Sequence, residues 1–228
     1  MRAGTILRRL WRRFGHPPAA PAKSVEYWHW RAEELGARAV VDVRYSAAEL
    51  PLVTQSQCDM LFPVVRAELE GWESRVLDVG CGIGRFTPWL AELVEGEAIG
   101  VEPVADLLAL APAHERVRYA LMEPGRIPLE NESVDMVWIF TVLGGLGDEA
   151  LRDTVSEVRR VLVPNGLVLL AENEKSQSEA PPQQHGAHWV SRAPSEYVSF
   201  FDWCDLRCVL SFPDWDNSVA LMTGRRRR

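Results

Sequence analysis

From about residue 75 onward, short apolar runs alternate with stretches in which apolar residues recur every three or four positions. The runs predict strands over Arg75–Val79, Ala98–Glu102, Val117–Leu121, Val134–Phe140 and Leu167–Ala171. Between them the longer period predicts helices over Gly84–Leu93, Val104–Leu110 and Asp148–Leu162. In the last of these, Leu151, Val155, Val158 and Leu162 share a face. Leu167–Ala171 is apolar throughout, as a strand covered on both faces should be. Strand and helix in alternation imply a parallel sheet with helices on both sides.

The two ends depart from this rhythm. Ser24 to Glu70 is mainly helical, with Ser24 capping a helix over Glu26–Gly36 and a second helix over Gln57–Leu69 that meets Pro63. The run Val40–Tyr45 between them fits neither period. After a helix over Ser195–Asp205, the stretches Leu206–Phe212 and Ser218–Thr223 read as strands. The five residues joining them are too few for a crossover helix, so this pair should be antiparallel. Met1–Phe14 sets Ile6, Leu7, Leu10, Trp11 and Phe14 against Arg8, Arg9, Arg12 and Arg13, a basic amphipathic helix followed by a Pro-rich linker. Such a segment can lie on an anionic membrane surface, target an organelle, dock on a partner or fray. The division expected is residues 1–23 as this segment and linker, 24–224 as one domain with 24–70 as its helical cap, and 225–228 as a basic tail.

The charge of −7 is unevenly spread. No acidic residue precedes Glu26 or follows Asp216, and without the ten basic residues of the ends the body holds 15 basic against 32 acidic side chains. A body so acidic repels a phosphate backbone, which argues against a nucleic-acid substrate on the core. Cys58, Cys81, Cys204 and Cys208 are too few and scattered for a disulfide scaffold and lack the spacing of a metal site. Their usage suits a reducing, cytoplasmic setting. No apolar run approaches the roughly 20 residues of a membrane-spanning helix.

The chemistry concentrates at Val76–Phe86, where Gly80, Gly82 and Gly84 join the first strand to its helix. Ligands of open α/β sheets sit outside the carboxyl ends of the strands, where this loop lies. The dinucleotide pattern G-x-G-x-x-G would place its last glycine at the position of Arg85. Asp78, two residues before the first glycine, would repel a pyrophosphate but suits an ammonium group. S-adenosylmethionine (SAM) carries an ammonium and a sulfonium and no phosphate. Glu102 ends the second strand, placed for both ribose hydroxyls, and Glu123 follows the third, placed for an adenine amino group. Three carboxylates at consecutive strand ends are hard to read as solvated loop ends.

From Trp72 to Glu172 the chain resembles the class I SAM-dependent methyltransferases, particularly their small type-11-like group. The resemblance rests on Val76–Gly84, on Gly100-Val101-Glu102-Pro103, on Glu123–Leu129 with Ser133–Val137, and on Glu157–Gly166, in that order. It implies a Rossmann-like α/β fold, a seven-stranded sheet in the order 3-2-1-4-5-7-6 with strand 7 antiparallel. It further implies that Gly80, Cys81, Gly82 and Gly84 line the methionine end of SAM, with Asp78 orienting the loop. Glu102 and Pro103 would serve the ribose, Met122 and Glu123 the adenine, and Phe140 and Thr141 the sulfonium. Gly144 and Gly145 stand where many relatives carry a polar residue and a histidine, so no catalytic base carries over.

Methyl transfer from a sulfonium depends mainly on placing the nucleophile in line, and a base is needed only where the acceptor must lose a proton. His185 and His188 are the candidate bases. Tyr27, Trp28, Trp30 and Trp189 are candidate walls of a pocket for a small-molecule acceptor, packing of the first helix against the sheet being the plainer role for Trp28 and Trp30. Two functions fit: a small-molecule methyltransferase, and a SAM-binding protein of regulation or assembly without transfer.

Overall fold

The structure, a computed structural model, describes residues 25–41, 44–174, 190–214 and 217–228. Seven strands form one sheet: β1 (Arg75–Val79), β2 (Glu97–Glu102), β3 (Val117–Leu121), β4 (Val134–Phe140), β5 (Leu162–Glu174), β6 (Arg207–Asp214) and β7 (Asn217–Arg225). Their order is β3-β2-β1-β4-β5-β7-β6. The pairs from β3 to β5 are parallel, and β7 runs antiparallel to both β5 and β6. The expected fold and order are therefore those observed.

Strand alternation supplies two cores. Leu77 and Val79 of β1 join Val137 and Ile139 of β4 on one face, against Leu151, Val155 and Val158 of α5 (Asp148–Val161). The stripe read from the sequence of that helix is the one it buries. Val76 joins Met136, Trp138 and Phe140 on the other face. There Leu61 and Val65 of α2 (Leu50–Glu68) and Leu90 of α3 (Thr87–Leu93) complete the layer. Trp138 is fully buried at its centre, 5.5 Å from the Phe86 ring and 5.9 Å from that of Phe140. α1 (Val25–Leu35) packs through Ala32 on Val104 and Leu107 at the four-residue α4 (Ala105–Leu108).

Several boundaries differ from expectation for local reasons. α2 starts at Leu50 rather than Gln57, because Ser46 and Glu49 close a capping box ahead of it and Pro51 fits its first turn. Pro63 is accommodated inside the helix on its exposed side. α3 begins at Thr87 rather than Gly84, since three glycines at positive φ cannot continue a helix. β5 extends five residues further toward the N-terminus than its apolar run, starting where α5 ends. The last helix, α6, covers Pro194–Phe200.

Residues 225–228, expected as a tail, begin inside the sheet. Arg225 ends β7, donates to Glu73 Oε1 at 2.6 Å and to the carbonyls of Glu68 and Asn165, and pairs with Glu70. Arg226 pairs with Glu132 and Arg227 with Asp205. Glu73 is buried; burial opposes its charge, but hydrogen bonds from Arg225 and the backbone outweigh that and hold its carboxyl below the usual range. Residues 1–24, with the basic amphipathic segment, lie outside the described residues. Among the described residues no helix is long and apolar enough to cross a membrane, and no group of three or more His, Cys, Asp or Glu could hold a metal ion.

Candidate functional site

A cavity of about 670 Å³ opens at the carboxyl ends of β1, β2, β4 and β5. The loop between β1 and α3 forms its floor. Gly82 has φ +57°, and a Cβ there would lie 2.6 Å from Val40 Cγ1, so a side chain would be both strained and blocked. Val40 thus rests directly on the loop, and of the run that fitted neither period Val40, Val41 and Tyr45 line the cavity. Gly84, at φ +67°, instead abuts the ring and hydroxyl of Tyr119 on β3. It is a packing position and does not line the cavity, contrary to expectation.

Asp78 is buried at the end of β1 and accepts a hydrogen bond of 2.6 Å from Thr87 Oγ1, which ties the strand to the first residue of α3. Glu102, buried at the end of β2, accepts from the Gly82 N–H at 3.0 Å with one oxygen and from the Val104 N–H at 3.2 Å with the other. Each oxygen keeps a lone pair for a further donor. Burial raises both carboxyls to about 7, against the hydrogen bonds they receive; the charge of Asp78 adds to the rise at Glu102, and that of Arg85 opposes it at Asp78. Burial, then the charges of Asp78 and Glu102, push the Cys81 thiol up as well.

Asp78, Gly80, Cys81, Gly82, Glu102, Pro103, Met122, Phe140 and Thr141 all line this cavity, as do Tyr27 and Trp28. Trp30 does not; its ring lies 6.0 Å from that of Tyr27. Glu123 does not either. The chain turns at Gly125, φ +72°, pairing Glu123 with Arg126 and leaving the Glu123 side chain 79% exposed, while Pro124 and Gly125 face the cavity. His185, His188 and Trp189 lie outside the described residues.

Two residues went unread in the sequence. Arg85 appeared only as a break in a glycine pattern, yet it reaches the cavity. It donates to Gln57 Oε1 at 2.6 Å, and its guanidinium lies 4.2 Å from the Phe86 ring centre and 5.2 Å from that of Phe140. Burial lowers its pKa to about 10, which leaves it charged at neutral pH. Among the described residues no carboxylate lies within ion-pair distance of it. The other is Glu172, fully buried near the end of β5, which accepts from the N–H groups of Val142 (2.7 Å), Leu143 (2.6 Å) and Gly144 (3.3 Å). Burial carries this carboxyl to about 7 against those three donors. Buried Arg192 holds the Leu143 carbonyl from the other side. A carboxylate ending an apolar strand was the available signal.

Residues 76–166 match the model of a methyltransferase domain family. The rat N-terminal Xaa-Pro-Lys N-methyltransferase 1 is 34% identical over 106 residues, which are 44% of this chain and 48% of that protein. A SAM-dependent methyltransferase from Aquifex aeolicus shares the fold with a TM-score of 0.56 at 18% identity, over 76% of this chain and 97% of that one. Over residues 76–166 the chain is similar to methyltransferase domains, and its sheet has the fold of a SAM-dependent methyltransferase. The [4+2]-cyclase SpnF superposes with a TM-score of 0.65 at 16% identity, over 93% of this chain and 99% of that one, so methyltransferase architecture extends to a protein named for another reaction. The chain spans half or less of the length of the curated relatives it matches.

The loop after β4 is held rather than loose. Thr141 sits at φ +51°, unusual for a β-branched residue, with its N–H on the Ala171 carbonyl at 2.7 Å. Leu143–Gly145 then make a single 3₁₀ turn above the Glu172 carboxylate. Gly145 lines the cavity, and among the described residues no histidine does.

Proposed function

We propose that this protein is a methyltransferase that takes SAM in the cavity and transfers its methyl group to a small-molecule acceptor. The observation that carries the reading is Glu102, a buried carboxylate at the end of β2 with lone pairs left for the two ribose hydroxyls. Adenine would lie by Pro103 and Met122, beside the backbone of Pro124 and Gly125 in place of the Glu123 side chain. The ammonium would meet the Asp78 end of the glycine loop. Arg85, a cation without a carboxylate of its own among the described residues, suits the methionine carboxylate. SAM supplies an already activated methyl group, so the protein's part is to hold the acceptor in line, near Phe140 and Thr141. The size and largely apolar lining of the cavity are those of a small-molecule site. Its four cysteines, all free, fit a reducing, cytoplasmic setting.

Calorimetry with SAM and with NAD tests the cofactor: tighter binding of NAD would overturn the assignment. Replacing Glu102 by Ala should weaken SAM binding by roughly 1.5–3 kcal/mol, the worth of a hydrogen bond to a charged group; an unchanged affinity would mean the ribose lies elsewhere. A second reading, SAM binding without transfer, draws on Gly144 and Gly145, which offer no base. Transfer of labelled methyl to any compound in a small-molecule screen, lost in Glu102→Ala, would exclude it.

A further inference from the structure

We propose that this protein docks on an anionic bilayer surface through Met1–Phe14, and that the exposed apolar start of α2 rests on the same surface. Met1–Phe14 lies outside the described residues and enters here by its sequence alone. At a helix's spacing of 100° per residue, Ile6, Leu7, Leu10, Trp11 and Phe14 fall within an arc of roughly 140°. Arg2, Arg8, Arg9, Arg12 and Arg13 share an opposite arc of about the same width, and none interrupts the apolar one. No acidic residue precedes Glu26 to offset them. Arginines answer the negative charge of a headgroup layer, and an apolar arc carrying Trp and Phe is of use where hydrocarbon lies just beneath. A nucleic acid would call on the arginines alone.

The described body adds three observations. First, α1 starts at Val25, and Val25 and Trp28 both line the cavity. The residues between Phe14 and Val25 can span no more than about 40 Å, so the basic segment is tethered beside the cavity. Second, Pro51 and Leu52 in the first turn of α2 are exposed, Leu52 by 70%, and the next residue, Val53, lines the same cavity. The tether and this apolar pair therefore border one opening, and a bilayer touching both would cover them together. Third, without the ten basic residues of its ends the body holds 15 basic against 32 acidic side chains and is repelled by an anionic surface. The attraction must then come from the segment, with Leu52 adding apolar contact and the largely apolar cavity brought toward lipid. This docking goes beyond the cofactor reading and does not depend on it.

Co-sedimentation of the full chain with phosphatidylcholine vesicles, with and without phosphatidylglycerol, tests the docking. The expected result is pelleting with the anionic vesicles only, weakening as salt is raised. Arg12→Ala together with Arg13→Ala should lower the partition coefficient about 25-fold, roughly fivefold for each arginine. Leu10→Ser together with Trp11→Ser should lower it about tenfold or more. Leu52→Glu should lower it about fivefold, as for a leucine half immersed. Each variant is first matched to wild type in thermal midpoint, which separates loss of docking from loss of fold, and Leu52→Ser takes the place of Leu52→Glu if that midpoint falls. The proposal is overturned by equal pelleting with neutral vesicles or by none with either kind. It is overturned as well if Leu10→Ser with Trp11→Ser pellets like wild type, the mark of a segment that binds polyanions or acidic proteins by charge alone. Wild-type binding by the Leu52 variant would overturn the placing of α2 against the bilayer.

Discussion

Asp78 and Glu102 are acidic side chains at a place where water is scarce, and their protonation should govern both stability and binding. Unfolded, they titrate near 4; folded, at about 7. The folded state therefore binds the extra protons between those values, and their contribution to stability, full below pH 4, is lost as pH rises through 7. Glu172 follows the same course. Thermal unfolding of the unliganded protein should accordingly give a lower midpoint at pH 8 than at pH 5.5, with SAM narrowing the gap. SAM affinity should fall as pH drops below 7, since a protonated Asp78 or Glu102 is a poorer partner for a cation or a hydroxyl. A flat midpoint and a flat affinity over this range would contradict both. Glu102 was legible because strand end and spacing fix where its side chain points. Glu123 was misread because one glycine turn beyond a strand redirects the side chain. Arg85 was passed over because Gln57, its partner, is 28 positions earlier and on another element.

At the level of elements, the loops around the cavity are shaped by single buried groups more than by their own composition. The turn after β4 hangs three N–H groups on Glu172, and β5 presents that carboxylate only because it is sandwiched between β4 and β7. Glu172→Ala should cost at least about 1–3 kcal/mol in denaturant unfolding, the penalty for leaving buried donors unpaired. Glu172→Gln, which keeps an acceptor oxygen, should cost less. Equal stability of all three proteins would mean the turn is held by other contacts. Periodicity revealed the helices and strands well, from the stripe of α5 to the antiparallel end. It could not reveal where α2 begins, since the Ser46–Glu49 capping box lies before any apolar repeat. Nor could it show that Val40 seats on Gly82, a contact between segments some forty residues apart.

Over the whole molecule, Arg225 and the acidic segment ahead of β1 form one clasp. Arg225 reaches Glu70, Glu73 and two backbone carbonyls, and Glu73 is buried beneath it. Arg225→Ala should destabilise by about 3–5 kcal/mol, the cost of stranding a buried charge, and Glu73→Gln in the same background should restore part of the loss. Additive losses in the double variant would break the assignment of the pair. The clasp also belongs to the strand that joins the sheet last. β6 is made before β7 yet among the described residues has no neighbour in the sheet except β7, and the outer edge of β5 is covered by the same strand. During synthesis, which delivers the amino-terminal part first, a nascent chain can assemble the five parallel strands while one edge stays open to other chains. The β5 edge is covered only when the residues up to Arg225 have left the ribosome, so the parallel half of the sheet spends most of synthesis without the partner that shields it.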